Sequence, residues 1–77
     1  MMQVAIFNKD LHEMELKNLG MDEHIGEYNW VYIADGHEVV FENSVDSLGT
    51  MTLVSDSGNL VNLVIRREWC TDFKPLM

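Results

Sequence analysis

Between Lys17 and Arg66 the sequence contains no lysine and no arginine. Cysteine occurs once, at Cys70, and proline once, at Pro75. No apolar run approaches the ~18 residues of a membrane span. The five glycines are scattered, so no glycine-rich loop is available to cradle phosphate. Each shortage narrows the field. A single cysteine forms no intrachain disulfide, and small secreted domains usually depend on such bridges. The expected setting is therefore a reducing cytoplasm. The start, "MMQVAIFNKD", has too short an apolar run and no basic lead for a signal peptide. With 5 basic against 13 acidic residues and a pI near 4.5, direct nucleic-acid binding is disfavoured, because it needs Lys and Arg to replace counterions on phosphate. Anionic membrane surfaces are disfavoured for the same reason.

Catalytic and metal chemistry are also thinly provided. His12, His24 and His37 have acidic neighbours, most densely in "DEHIGE". That stretch lacks the i, i+4 histidine pair of a helical zinc site, and there is no second thiolate. No metal or cofactor is expected. A nucleophile would have to be Cys70 or a serine placed beside a histidine base. Cys70 reads instead as a buried small hydrophobe, and no enzyme activity is expected.

What the sequence does have is apolar content, 47% of 77 residues. That is normal for a globular chain and too high for charge-driven disorder. One domain spanning 1–77 is expected. At this length only ~60% of the unfolded surface is buried, so the core is thin. The six methionines include Met14, Met21 and Met51, which are expected to fill that core.

Residues 2–7, "MQVAIF", suit a short strand. "DLHE" from Asp10 resembles a capping box, and Gly20 suits the residue after a helix end. A helix near 11–19 is predicted, with Leu11, Met14 and Leu19 sharing its inner face. "EYNWVYIADGHEVVFEN" alternates and contains Asp35-Gly36, a pair suited to a two-residue type I′ loop. The expectation is a hairpin with Trp30, Tyr32, Val39 and Phe41 on its core face. Val31, Ile33 and Val40 would share the other face with Glu38 and Glu42. Ser44–Gly49 reads as a turn. "TMTLVSDSGNLVNLVIRREW" predicts a second hairpin about Ser57-Gly58. The tail from Cys70 reads as irregular, with Phe73 packing back. The sum is an α+β fold: a small antiparallel sheet, a meander of two hairpins plus an N-terminal strand, with one short helix on one face. A partly closed small barrel is the alternative.

The charge map is the most informative feature. The 48 positions 18–65 hold Asp22, Glu23, Glu27, Asp35, Glu38, Glu42, Asp46 and Asp56, eight acids that account for the net charge of −8. Outside them, five acids balance five bases. One reading is solubility, since many small cytosolic proteins are acidic and a charged edge blocks sheet-to-sheet aggregation; against it, soluble surfaces usually intersperse both signs. Carboxylates on neighbouring strands can imitate duplex phosphates and engage a basic groove, with apolar anchors supplying contact energy. The expected partner-binding residues are Glu27, Asp35, Glu38, Glu42 and Asp46, with Tyr28, Val31 and Ile33 as anchors.

In size, charge and want of catalytic residues the chain resembles the small acidic inhibitors with which bacteriophages block restriction, CRISPR or DNA-repair enzymes. The likeness is of character and not of a motif. It implies stoichiometric binding to a basic nucleic-acid-processing enzyme. The alternative is a structural or antitoxin-like subunit that pairs through an exposed strand edge. A homodimer is a further expectation, with the Arg66–Arg67 end of one copy docking on the acids of another.

Overall fold

A computed structural model describes residues 1–76. Its frame is a five-stranded antiparallel sheet. The strands are β1 (Gln3–Phe7), β2 (Glu38–Phe41), β3 (Leu48–Val54), β4 (Leu60–Arg66) and β5 (Cys70–Pro75). Their spatial order is β4-β3-β2-β1-β5. Helices α1 (Lys9–Asn18) and α2 (Trp30–Ala34), with a 3₁₀ segment at Asp22–Glu27, fill the β1–β2 connection, and a 3₁₀ turn at Arg67–Trp69 precedes β5. The α+β expectation holds. β1 through β4 form the expected meander, and β5 adds to the free side of β1.

Alternation gives the sheet one covered and one open face. Ala5, Phe7, Val39, Phe41, Met51, Leu53, Ile65 and Cys70 point to the covered face and are buried with Val31 and Ala34 of α2. Phe7, Phe41, Ile65 and Val39 are the largest side chains wholly removed from water, each worth ~1.5–3 kcal/mol of burial. Gly49 is fixed by this packing. It stands opposite Phe41 on β3, and a Cβ there would come within 2.8 Å of both the Phe41 ring and Val39.

The N-terminal strand and the second hairpin form as expected. The latter pairs Leu48 with Arg66 through Val54 with Leu60 without interruption. The first hairpin does not form. Trp30–Ala34 is a helix. Asp35-Gly36 makes a type II turn instead of type I′: Asp35 has φ −56 and ψ 124, Gly36 has φ 86, and His37 N–H donates to Ala34 O at 2.9 Å. Only one central residue of type II needs positive φ, so Asp35 keeps an ordinary conformation. The turn then feeds α2 into β2, not one strand into another. The pattern "WVYIA" satisfies either period. Burying Val31 and Ala34, three apart, leaves Tyr32 and Ile33 in solvent, which is helical spacing.

Three smaller corrections follow. Asn8, not Asp10, caps α1, accepting from Leu11 N–H at 3.0 Å. The inner face of α1 is His12 and Leu16, while Met14 and Leu19 are exposed, so of the three methionines only Met51 is fully buried. The tail is not irregular: β5 pairs with β1, and Phe73 meets Phe41 with ring centroids 5.5 Å apart. Pro75 is tolerated because β5 is an edge strand.

Candidate functional site

The acidic residues are best understood from the bases that do have partners. Arg67 is consumed by the fold. Its guanidinium donates to Asp46 O at 2.6 Å, Asn43 O at 3.2 Å and Gln3 Oε1 at 3.1 Å. It also lies over the rings of Phe41 and Phe73, at 4.4 and 4.8 Å. It thereby pins the β2–β3 loop to the sheet. Arg66 bridges Glu15 at 3.4 Å and Glu68 at 3.2 Å, and Trp69 Nε1–H donates to Glu15. The neighbouring Arg66 helps hold the Glu68 carboxyl below its usual range, after a backbone hydrogen bond. Lys9 pairs with Asp10 at 3.4 Å, and that hydrogen bond and charge raise its pKa.

Every Lys or Arg ion pair among the described residues thus uses an acid outside 18–65. Within that window the partners are of other kinds. Glu23 and Glu27 flank His24, at 3.5 and 2.9 Å. Asp35 accepts from the Lys9 backbone N–H at 2.9 Å, closing the start of α1. Asp46 contributes its carbonyl, not its carboxylate, to Arg67.

The expected binding residues therefore do not lie on one hairpin. Glu27 sits in the 3₁₀ segment, Asp35 in the turn, Asp46 in the β2–β3 loop, and Glu38 and Glu42 on and just beyond β2. Val31 is buried in the core and Tyr28 is half-buried against it, so neither offers a free anchor. Ile33 is half exposed and lines an apolar groove of about 200 Å³ between α2 and the β3–β4 hairpin, with Trp30, Leu53, Val61 and Leu63.

Two carboxylates of the set, Glu38 and Glu42, are exposed and meet no base among the described residues. β2 is the central strand, so Glu38 stands in the middle of the open face, across from Ile6 of β1. Val40 follows on that face between Val4 and Thr50. Glu42 is four residues along, ~13 Å away at strand rise. Alternation assigns Lys74, on the edge strand β5, to this face, while Arg66 at the end of β4 turns to Glu15 of α1 and to Glu68. The apolar neighbours of the free acids are thus Val4, Ile6 and Val40. The alternation of "QVAIF" with buried Ala5 and Phe7 was the signal for them.

Reactive groups are sparse. Cys70 is buried, and burial pushes its thiol up to about 11, far from a thiolate at neutral pH. His12 is enclosed by Phe7, Tyr28, Trp30 and Trp69, the last 4.6 Å away edge-on. Burial holds its pKa below the usual histidine value, against the pull of Glu15. Among the described residues no three His, Cys, Asp or Glu side chains gather as metal ligands, and no helix is long and apolar enough to cross a membrane. No protein-family model, no curated protein and no solved structure matches this chain.

Proposed function

We propose that the protein acts by stoichiometric binding, not catalysis, and that its target is the basic groove of a nucleic-acid-processing enzyme. The observation that carries this is the division of charge: all Lys and Arg ion pairs among the described residues lie outside 18–65, while the eight carboxylates within it meet none. Unanswered acids repel one another and cost stability, which a chain of this size has little margin to lose. Such a cost is accounted for if Lys and Arg of another molecule supply the missing partners.

The contact surface is the open face of the sheet. Glu38 lies at its centre, Glu42 at its end, and Val4, Ile6 and Val40 beside them as apolar contacts. Carboxylates of this kind steer association and select a positive groove. Inhibition of the target would follow from occupying the site that phosphates otherwise fill. The test is Glu38→Lys with Glu42→Lys, each reversal adding two charges, which moves the net charge from −8 to −4. Binding to basic enzymes captured from a bacterial lysate should be lost in the folded variant, and lost from the parent at high salt. Retention in the variant would remove the open face as the site.

A further inference from the structure

The strand registers bring one row of side chains into line on the open face. Lys74 of β5 stands opposite Val4 of β1, Val4 opposite Val40 of β2, Val40 opposite Thr50 of β3, and Thr50 opposite Val64 of β4. The row crosses the whole sheet, ~19 Å at ~4.8 Å between neighbouring strands. From Val4 to Val64 it is uncharged and β-branched. It stays open: Thr50 and Val64 are exposed, and α2 packs on the opposite face. Glu38 and Glu42 stand to either side of Val40 along β2. The row therefore passes between two carboxylates ~13 Å apart at strand rise.

That gap has the width of a helix. An α-helix with its side chains measures ~10–12 Å across. The major groove of duplex DNA, which admits a helix between two lines of phosphate, is ~12 Å wide. Resting on the reading of the open face as the contact surface, we infer that the part of the target it takes up is an amphipathic helix of the kind that enters a DNA major groove. The helix lies along the row with its apolar stripe on Val4, Val40, Thr50 and Val64. Lys or Arg on its two flanks reach Glu38 and Glu42, as they otherwise reach phosphates on the two DNA strands. The row accommodates about 13 residues at a rise of 1.5 Å. Lys74 fits the same arrangement. As the one base on the row it repels a cationic flank, but it suits the negatively polarised C-terminus of a helix. The helix therefore begins over β4 and ends over β5. A second copy of this chain offers no such helix, because α1 mixes Lys9 and Lys17 with Asp10, Glu13 and Glu15 and has its inner face already buried.

Two synthetic peptides titrated into the full chain test this. The first has about 13 residues, with leucines at helical spacing along one side and lysines on both flanks. The second has the same composition, rearranged to break that spacing. The first should become helical on binding, by circular dichroism, and shift the NMR signals of Val4, Val40, Thr50 and Val64. It should bind about tenfold more tightly than the second, because only a stripe meets the row and both carboxylates together. Thr50→Glu separates packing from simple charge. The position is exposed, and the variant should keep the parent's circular dichroism. An acid set into the row should weaken the first peptide severalfold, although the chain is then more negative. The comparison of the two peptides on the parent does not depend on that variant. Equal binding of both peptides, or tighter binding by Thr50→Glu, overturns the helix and leaves the basic-groove reading standing, since lysines in any arrangement then suffice. A first peptide that binds nowhere on the row also overturns it. The basic-groove reading falls on a different result, capture of basic enzymes that survives Glu38→Lys with Glu42→Lys.

Discussion

The Arg66–Arg67 end of the molecule and the open face around Glu38 treat charge in opposite ways. At the first, the charged groups hold the fold together. Arg67 binds two carbonyls and an amide oxygen and covers two aromatic rings, and Arg66 answers Glu15 and Glu68. At the second, Glu38 and Glu42 stand exposed with no base beside them among the described residues. The difference separates charge that builds the fold from charge the fold does not use. Removing the former should cost stability. Removing the latter should cost none and alter only what the protein binds.

Arg67→Ala strikes hardest at the first region. It leaves the Asp46 and Asn43 carbonyls without their donor and uncovers Phe41 and Phe73. Hydrogen bonds to charged groups are worth ~1.5–3 kcal/mol, so urea denaturation should show a loss of about 3 kcal/mol. Gly49→Ala acts on the same stack from beneath, driving a methyl group into Phe41 and Val39. Overpacking of this kind costs ~1–3 kcal/mol, and thermal melts should show a clear drop.

His12 gives a smaller, pH-dependent effect. Its folded-state pKa lies below the ordinary value of 6.5 because burial among aromatic rings penalises the imidazolium. The unfolded chain therefore binds the proton more readily. The stability His12 contributes is complete above pH 6.5 and is lost as pH falls from there through the depressed folded value. Melting temperature should decline over that interval, and His12→Leu should flatten the decline. Last in size is the stability change of Glu38→Lys with Glu42→Lys, expected within ~0.5 kcal/mol as for other exposed sites. A large destabilisation there would show that the open-face acids are structural after all.

How far the sequence disclosed this arrangement varied from element to element. The second hairpin was legible because Leu53, Met51 and Ile65 alternate with polar or exposed neighbours and a Ser-Gly turn lies between the arms. The helix was legible in its extent, but its inner face was not, since a histidine, His12, takes a place usually held by an aliphatic residue. "WVYIADG" misled because a five-residue apolar run fits both periods and Asp-Gly serves both type I′ and type II turns. The tertiary context decided it: Asp35 and Gly36 bond back to Lys9 and Phe7, contacts that no local pattern carries. β5 was hidden by its proline and its irregular register. Of the expected site, the charge segregation was visible in full. The placement of its members was not, because Tyr28 and Val31 turned inward with α2, and the apolar side chains beside Glu38 and Glu42 are Val4, Ile6 and Val40.

If the open face substitutes for phosphate, this protein and nucleic acid must compete for one site. The tagged protein would be used to capture basic enzymes from a bacterial lysate at low salt, and the bound material challenged with duplex DNA. Release by duplex DNA and by salt alike is expected, with no capture by the Glu38→Lys, Glu42→Lys variant. Capture that resists both duplex DNA and salt, and survives the charge reversal, would contradict phosphate mimicry.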